Sequence, residues 1–208
     1  MYSFSHRTWE DLPRNFLLST LMVVMLCEML SSYMHMGTVS ELLYLRIVEA
    51  VLLWVLVIAF KVYNNLGFTR LTHQNIHLIL CVTSIGCIAV LLLAFVLKYD
   101  YAWIHLPQLV YSAKGLFLMF CVAPVVEELF FRGVIYRLLR QAFGVWIAVL
   151  LSAICFSSMH GNWLSLPLLG GVVFAMAYEY SRNLWVAMFL HMVGNMLIVG
   201  LAWLDGMI

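Results

Sequence analysis

Apolar residues form seven long runs along the chain, separated by short polar breaks. The runs cover about 15–36, 42–63, 76–97, 114–139, 144–161, 163–181 and 183–203. Each has roughly the 20 residues that a helix needs to cross about 30 Å of hydrocarbon. The breaks carry turn-forming residues such as Asn64-Asn65 and Gly144. The pattern therefore predicts seven transmembrane helices, the first of them a retained span rather than a cleaved signal.

Composition supports an all-α, polytopic membrane bundle. Of the 208 residues, 65% are hydrophobic and 10% are charged, whereas about one quarter of a soluble domain is charged. Because apolar runs recur along the whole chain, we expect a single integral membrane domain over 1–208, with N-terminal spans in 1–113. The lipid bilayer is therefore a partner. The net charge of +1 argues against nucleic acid, which requires a basic face.

The positions of the basic residues predict an orientation. A cytoplasmic N-terminus in a cell membrane places eight Lys and Arg residues toward the cytoplasm and three opposite, in agreement with the positive-inside rule. The eight are Arg7, Arg14, Lys61, Arg70, Arg132, Arg137, Arg140 and Arg182, and the three are Arg46, Lys98 and Lys114.

Five cysteines lie in the apolar runs without a C-x-x-C pair. They are Cys27, Cys81, Cys87, Cys121 and Cys155. We expect them to be small buried hydrophobic residues.

Ionisable residues within the apolar runs are concentrated in the last four. Such groups are costly in a bilayer and suggest function. Glu128 and Arg132 are four residues apart and can pair on one helix face, whereas the adjacent Glu127 points about 100° away. Phe156 and His160, and also His191 and Asn195, share the same four-residue spacing. Glu28, Glu49 and Glu179 fit packing or rim roles.

These residue types suit hydrolysis by an activated water. A buried carboxylate can act as a general base toward water beside an imidazole, and a second His and an Asn can donate to an oxyanion. The sequence lacks an H-E-x-x-H zinc helix, a G-x-S-x-G elbow and a G-x-G-D motif. No cofactor is required by this chemistry, but Glu127, His160 and His191 are also suitable zinc ligands, so a metal site stays open.

The three motifs, Glu127-Glu128-x-x-x-Arg132, Phe156-x-x-x-His160 and His191-x-x-x-Asn195, resemble those of the CAAX-protease and bacteriocin-processing family, also called the ABI family. The resemblance covers residues 114–203, the predicted catalytic core. It implies an intramembrane glutamic endopeptidase in which Glu127 and His160 activate water. His191 and Asn195 would form the oxyanion hole, with Glu128, Arg132 and Phe156 in support.

The family resemblance implies a peptide or membrane-associated protein as the substrate, cleaved in maturation or processing. Two other classes of function remain open. A non-catalytic immunity or binding protein could capture a peptide or a membrane partner in the same pocket. A small transporter would explain intramembrane charges, but not the repeated four-residue spacing.

Overall fold

The chain forms a series of packed helices in a computed structural model that describes residues 11–33, 38–97, 112–160 and 166–205. We number the helices in chain order: α1 (Arg14–Tyr33), α2 (Val39–Ala59), α3 (His73–Leu97), α4 (113–143), α5 (Val145–Ser158), α6 (Leu166–Ser181) and α7 (Leu184–Asp205). Within the described ranges there is no strand. The predicted all-α class is confirmed, with helices in the seven predicted places.

Three of these helices are long and apolar enough to cross a membrane: α1, α2 and residues 184–201 of α7. Side chains on the outer helix faces, such as Met22, Ile85 and Trp146, are exposed large hydrophobics. Such residues suit lipid, which is as apolar as they are. The chain is therefore a helical membrane protein, and the full count of seven membrane crossings stays a prediction.

Helix α4 is continuous but contains two wider π-helical turns. It runs through Ala113–Phe117, Leu118–Val122, Ala123–Phe130, Phe131–Tyr136 and Arg137–Phe143, of which the second and fourth segments are π-helical. Pro124 follows the first π turn and has no N–H to donate to an earlier carbonyl, which disfavours regular α-helix there. The segment that carries Glu127 and Glu128 is thus bounded by π turns, which are frequent at functional sites.

The turn between α2 and α3 joins the two halves of the chain. The Tyr178 hydroxyl donates to the Leu66 carbonyl at 3.0 Å, and the Asn183 amide donates to the Thr69 carbonyl at 3.0 Å. Gly67 has a φ of +83°, and a Cβ there would lie 2.3 Å from the carbonyl oxygen of Arg182. This close approach requires glycine.

The expectation that the cysteines are buried is wrong for four of the five. Cys27 is buried, but Cys81, Cys121 and Cys155 are exposed and Cys87 is half-buried, all as free thiols. The physical reason is that lipid, unlike water, accepts an apolar thiol on an outer helix face, so protein need not cover it.

Candidate active site

Glu127 and Glu128 point into different surroundings, as their adjacency on α4 predicts. The Glu128 side chain is fully buried, whereas 22% of the Glu127 side chain is exposed. The two carboxylates therefore make different contacts.

Glu128 links α4 to α7 through one oxygen, and its partner Arg132 extends the link to α6. Its Oε1 accepts from Arg132 Nη1 at 2.7 Å and from His191 Nδ1 at 2.8 Å. Arg132 Nη2 in turn donates to the Gly171 carbonyl on α6 at 2.9 Å. The ion pair predicted from the four-residue spacing is present. The bond to His191, 63 residues away, could not be predicted from local spacing.

Glu127 faces two imidazoles at equal distance. Its Oε2 lies 3.8 Å from Nε2 of His160 and 3.8 Å from Nε2 of His191. Among the described residues this buried oxygen has no hydrogen-bond partner. A separation of 3.8 Å is long for a direct hydrogen bond, and a water about 2.8 Å from the carboxylate oxygen and from an imidazole nitrogen would fit between them.

Aromatic rings hold the two imidazoles in place. The ring of Phe156 lies 4.6 Å from that of His160 and meets that of His191 edge-on at 5.4 Å. Phe174 stacks on His191 with ring centroids 4.8 Å apart. The guanidinium carbon of Arg132 lies over the rings of Phe156 at 4.7 Å and Phe174 at 5.4 Å. Sequence reasoning missed Phe174, which no motif separates from the other apolar residues of its span.

Backbone carbonyls fix two further site residues. His160 Nδ1 donates to the Phe156 carbonyl at 2.9 Å, because a carbonyl can only accept. Asn195 Nδ2 donates to the Met119 carbonyl at 2.8 Å, within the first π turn of α4. The four-residue spacing thus has different uses: Phe156 positions His160 with its backbone and its ring, whereas Asn195 binds a neighbouring helix.

A cavity of about 110 Å³ opens beside Glu127 and His160. Its opposite wall carries an ion-pair cluster from the N-terminal helices. Arg46 donates to Glu28 Oε1 and to Glu49 Oε2, each at 2.6 Å. Sequence reasoning treated Glu28 and Glu49 as packing or rim residues and did not connect Arg46 with them. Glu179 lies elsewhere and contacts Arg140, Arg182 and Tyr136.

The described geometry does not fit a zinc ion at Glu127, His160 and His191. Ligands of a tetrahedral zinc at 2.0–2.1 Å are about 3.3 Å apart, whereas Glu127 Oε2 lies 3.8 Å from each imidazole nitrogen. Within the described ranges, no group of three or more His, Cys, Asp or Glu residues is arranged to hold a metal ion. Metal-independent activity stays a prediction.

Comparison with known proteins gives two matches over the motif-bearing part. The family model described as type II CAAX prenyl endopeptidase Rce1-like matches residues 109–197. The chain is also 31% identical over 80 residues to a Bacillus subtilis (strain 168) protein named "Putative membrane peptidase YdiL". That match covers 38% of this chain and only 33% of the relative. No solved structure matches the chain. The family resemblance predicted from the three motifs is therefore confirmed over residues 109–197, which match the Rce1-like family model.

Proposed function

We propose that the protein is an intramembrane endopeptidase of the glutamic type. The observation that carries this proposal is the position of Glu127 Oε2, a buried carboxylate oxygen that accepts no hydrogen bond from the described residues and lies 3.8 Å from two imidazole nitrogens. The Rce1-like match and the name of the relative support membrane peptidase activity in general. The roles of individual residues are argued from the geometry.

The hydrogen bonds define how each imidazole can take part. His160 Nδ1 donates to a carbonyl, and His191 Nδ1 donates to the Glu128 carboxylate, which also accepts from Arg132. In a neutral imidazole, Nε2 is then an acceptor. A water has two hydrogens, so Glu127 Oε2 and one imidazole can accept both. The other imidazole can contribute a donor only in its protonated form.

Charge balance favours His191 as the donor. Glu127 and Glu128 carry two negative charges, and Arg132 carries one positive charge. A protonated His191 makes the group neutral, and its Nδ1–H is bonded to Glu128. Neutral groups are less costly than net charge within a bilayer. His160 Nε2 then accepts the second hydrogen of the water.

The reaction follows from this arrangement. Glu127 takes a proton from the water, and the oxygen of that water attacks the carbonyl carbon of the peptide. The resulting oxyanion accepts hydrogen bonds from His191 Nε2–H and from the second N–H of Asn195. The protonated Glu127 then donates its proton to the leaving amine as the carbon–nitrogen bond breaks. No metal takes part in these steps.

The supporting residues maintain the geometry. Glu128 fixes the orientation of His191, and Arg132 neutralises Glu128 and anchors it to α6. Phe156 packs against both imidazoles. Their replacement should disturb the position of the imidazoles before it changes the chemistry.

We further propose that the substrate is a peptide or a membrane-associated protein, which enters the cavity between α1, α2 and α4. The protein lies in the cell membrane with its N-terminus in the cytoplasm, as the distribution of basic residues suggests.

The test is proteolysis by the full chain reconstituted in liposomes. It would be incubated with a proteome-derived peptide library, and new termini would be identified by mass spectrometry. We expect cleavage by the wild type and none by Glu127→Ala or His160→Ala at unchanged folded yield. Binding of peptides by the wild type without new termini would refute the proposal and favour the non-catalytic binding function.

A further inference from the structure

The Glu28–Arg46–Glu49 cluster lies within the membrane-spanning helices α1 and α2 and lines the same cavity as Glu127 and His160. The cluster supplies the charged residues that the N-terminal half of the chain places on the cavity wall. Helices α1 and α2 contact the segment of α4 that carries Glu127. A substrate side chain in this cavity would therefore meet both groups of charges.

The cluster carries one more negative than positive charge. Arg46 has one guanidinium, which donates to two carboxylates, those of Glu28 and Glu49. Net charge within a bilayer is costly, so a single excess negative charge favours a compensating cation.

A buried oxygen in the cluster points to the same kind of ligand. The Glu49 side chain is fully buried, and its Oε1 has no hydrogen-bond partner among the described residues. A buried carboxylate oxygen without a donor costs free energy. The missing group is therefore a hydrogen-bond donor, and a positively charged donor would also balance the second carboxylate of the cluster.

We propose that Glu28, Arg46 and Glu49 form a specificity subsite for a lysine or arginine side chain of the peptide substrate. The proposal rests on the proposed protease function. Glu28 and Arg46 are 31% and 21% exposed, so the cluster can be reached from the cavity. A basic side chain brings the cluster to neutrality and donates to its carboxylates, whereas a substrate carboxylate would raise the excess negative charge to two.

The cavity is of a size for one side chain and not for a whole ligand. It measures about 110 Å³, whereas pockets that enclose a whole small molecule typically measure about 300–1,000 Å³. A long side chain can lie against Val24 and Val126 on the cavity wall while its charged end meets the cluster.

The test compares matched peptides that carry lysine or norleucine, which lacks the ammonium group. Each of four positions on either side of the cleaved bond would be varied, and kcat/KM measured with the reconstituted full chain. At one position we expect lysine to be preferred by at least about tenfold, as for a hydrogen bond between charged groups. Glu49→Gln and Glu28→Gln should each reduce that preference to below about threefold.

Glu41→Gln is the matched control, because it removes a carboxylate from the same helix outside the cavity. Glutamine also preserves the capping box with Thr38, so the lysine preference should be unchanged. Should Glu49→Gln fail to fold, the partly exposed Glu28 provides the test. Absence of a lysine preference at every position, or its survival in the folded Gln variants, would overturn the subsite.

Failure of the proposed protease function would be a separate result. If the wild type cleaves no peptide, fluorescence anisotropy of the same labelled peptides with the full chain in detergent micelles tests the subsite directly. Tighter binding of the lysine peptide, weakened in Glu28→Gln, would support it. Equal affinity for the two peptides would overturn it.

Discussion

Replacement of each adjacent glutamate by glutamine should give two different defects. Glu128 is fully buried and accepts from Arg132 and His191 through one oxygen. Glu127 is partly exposed, and its Oε2 accepts no hydrogen bond among the described residues. Glutamine preserves the size of each side chain and removes its charge, so the comparison isolates what each carboxylate does.

For Glu128→Gln, the expected cost is in stability. The variant leaves Arg132 buried with its bond to the Gly171 carbonyl but without a counter-charge. Breaking a buried pair in this way typically costs about 3–5 kcal/mol. At 1.4 kcal/mol per factor of ten, the folded-to-unfolded ratio falls by roughly two to three and a half powers of ten. Activity should fall as well, because His191 loses the carboxylate that orients it.

For Glu127→Gln, the expected cost is in catalysis. Loss of a general base lowers kcat by at least about 10²-fold. The free energy of unfolding should be unchanged or higher, since the variant removes the charge from a buried carboxylate whose Oε2 accepts no hydrogen bond within the described part of the chain. The two glutamates should therefore separate activity from stability.

The assay combines peptide hydrolysis with thermal unfolding in detergent micelles. Arg132→Gln should resemble Glu128→Gln, and the double variant should be less destabilised than the sum of the two single effects, because the residues are in contact. If Glu127→Gln unfolds the protein while Glu128→Gln leaves its stability intact, the roles assigned to the two residues are reversed.

Three further predictions concern orientation, metal and packing. A reporter fused after Ile208 should be found outside the cytoplasm; a cytoplasmic reporter would contradict seven crossings from a cytoplasmic N-terminus. Activity of the purified protein should survive chelation, whereas loss on chelation with recovery by zinc would show that a metal is required. Gly171→Ala should destabilise the protein by about 1–3 kcal/mol in thermal unfolding, since its Cβ would lie 2.9 Å from Ala153 Cα. Gly200→Ala, which has nothing within 4 Å of its Cβ, should be neutral or stabilising.

Features that depend on local spacing could be predicted from the sequence. The helices lie where the apolar runs predict them, because a helix in lipid must satisfy its own backbone groups over the width of the bilayer. The Glu128–Arg132 pair follows from one helical turn. The expected approach of His160 and His191 to Glu127 is also present, and their catalytic roles remain to be tested.

Features that depend on distant contacts could not be predicted. Glu28 and Arg46 are 18 residues apart on different helices, and no local pattern indicates that α1 and α2 line the cavity. The two π turns of α4 were also missed, although Pro124 signals a change in backbone bonding near the first. The exposed cysteines show a further limit: apolar character alone does not distinguish a lipid-facing residue from a buried one.

The different surroundings of the two glutamates follow from helix geometry once one of them is anchored. Arg132 and His191 hold Glu128 toward α6 and α7. Consecutive residues on a helix point about 100° apart, so Glu127 is directed away from that anchor and toward the cavity. An arginine bonded directly to Glu127 would occupy the oxygen that we propose as the base and lower its basicity. The fold therefore provides Arg132 for Glu128 and leaves Glu127 facing two imidazoles.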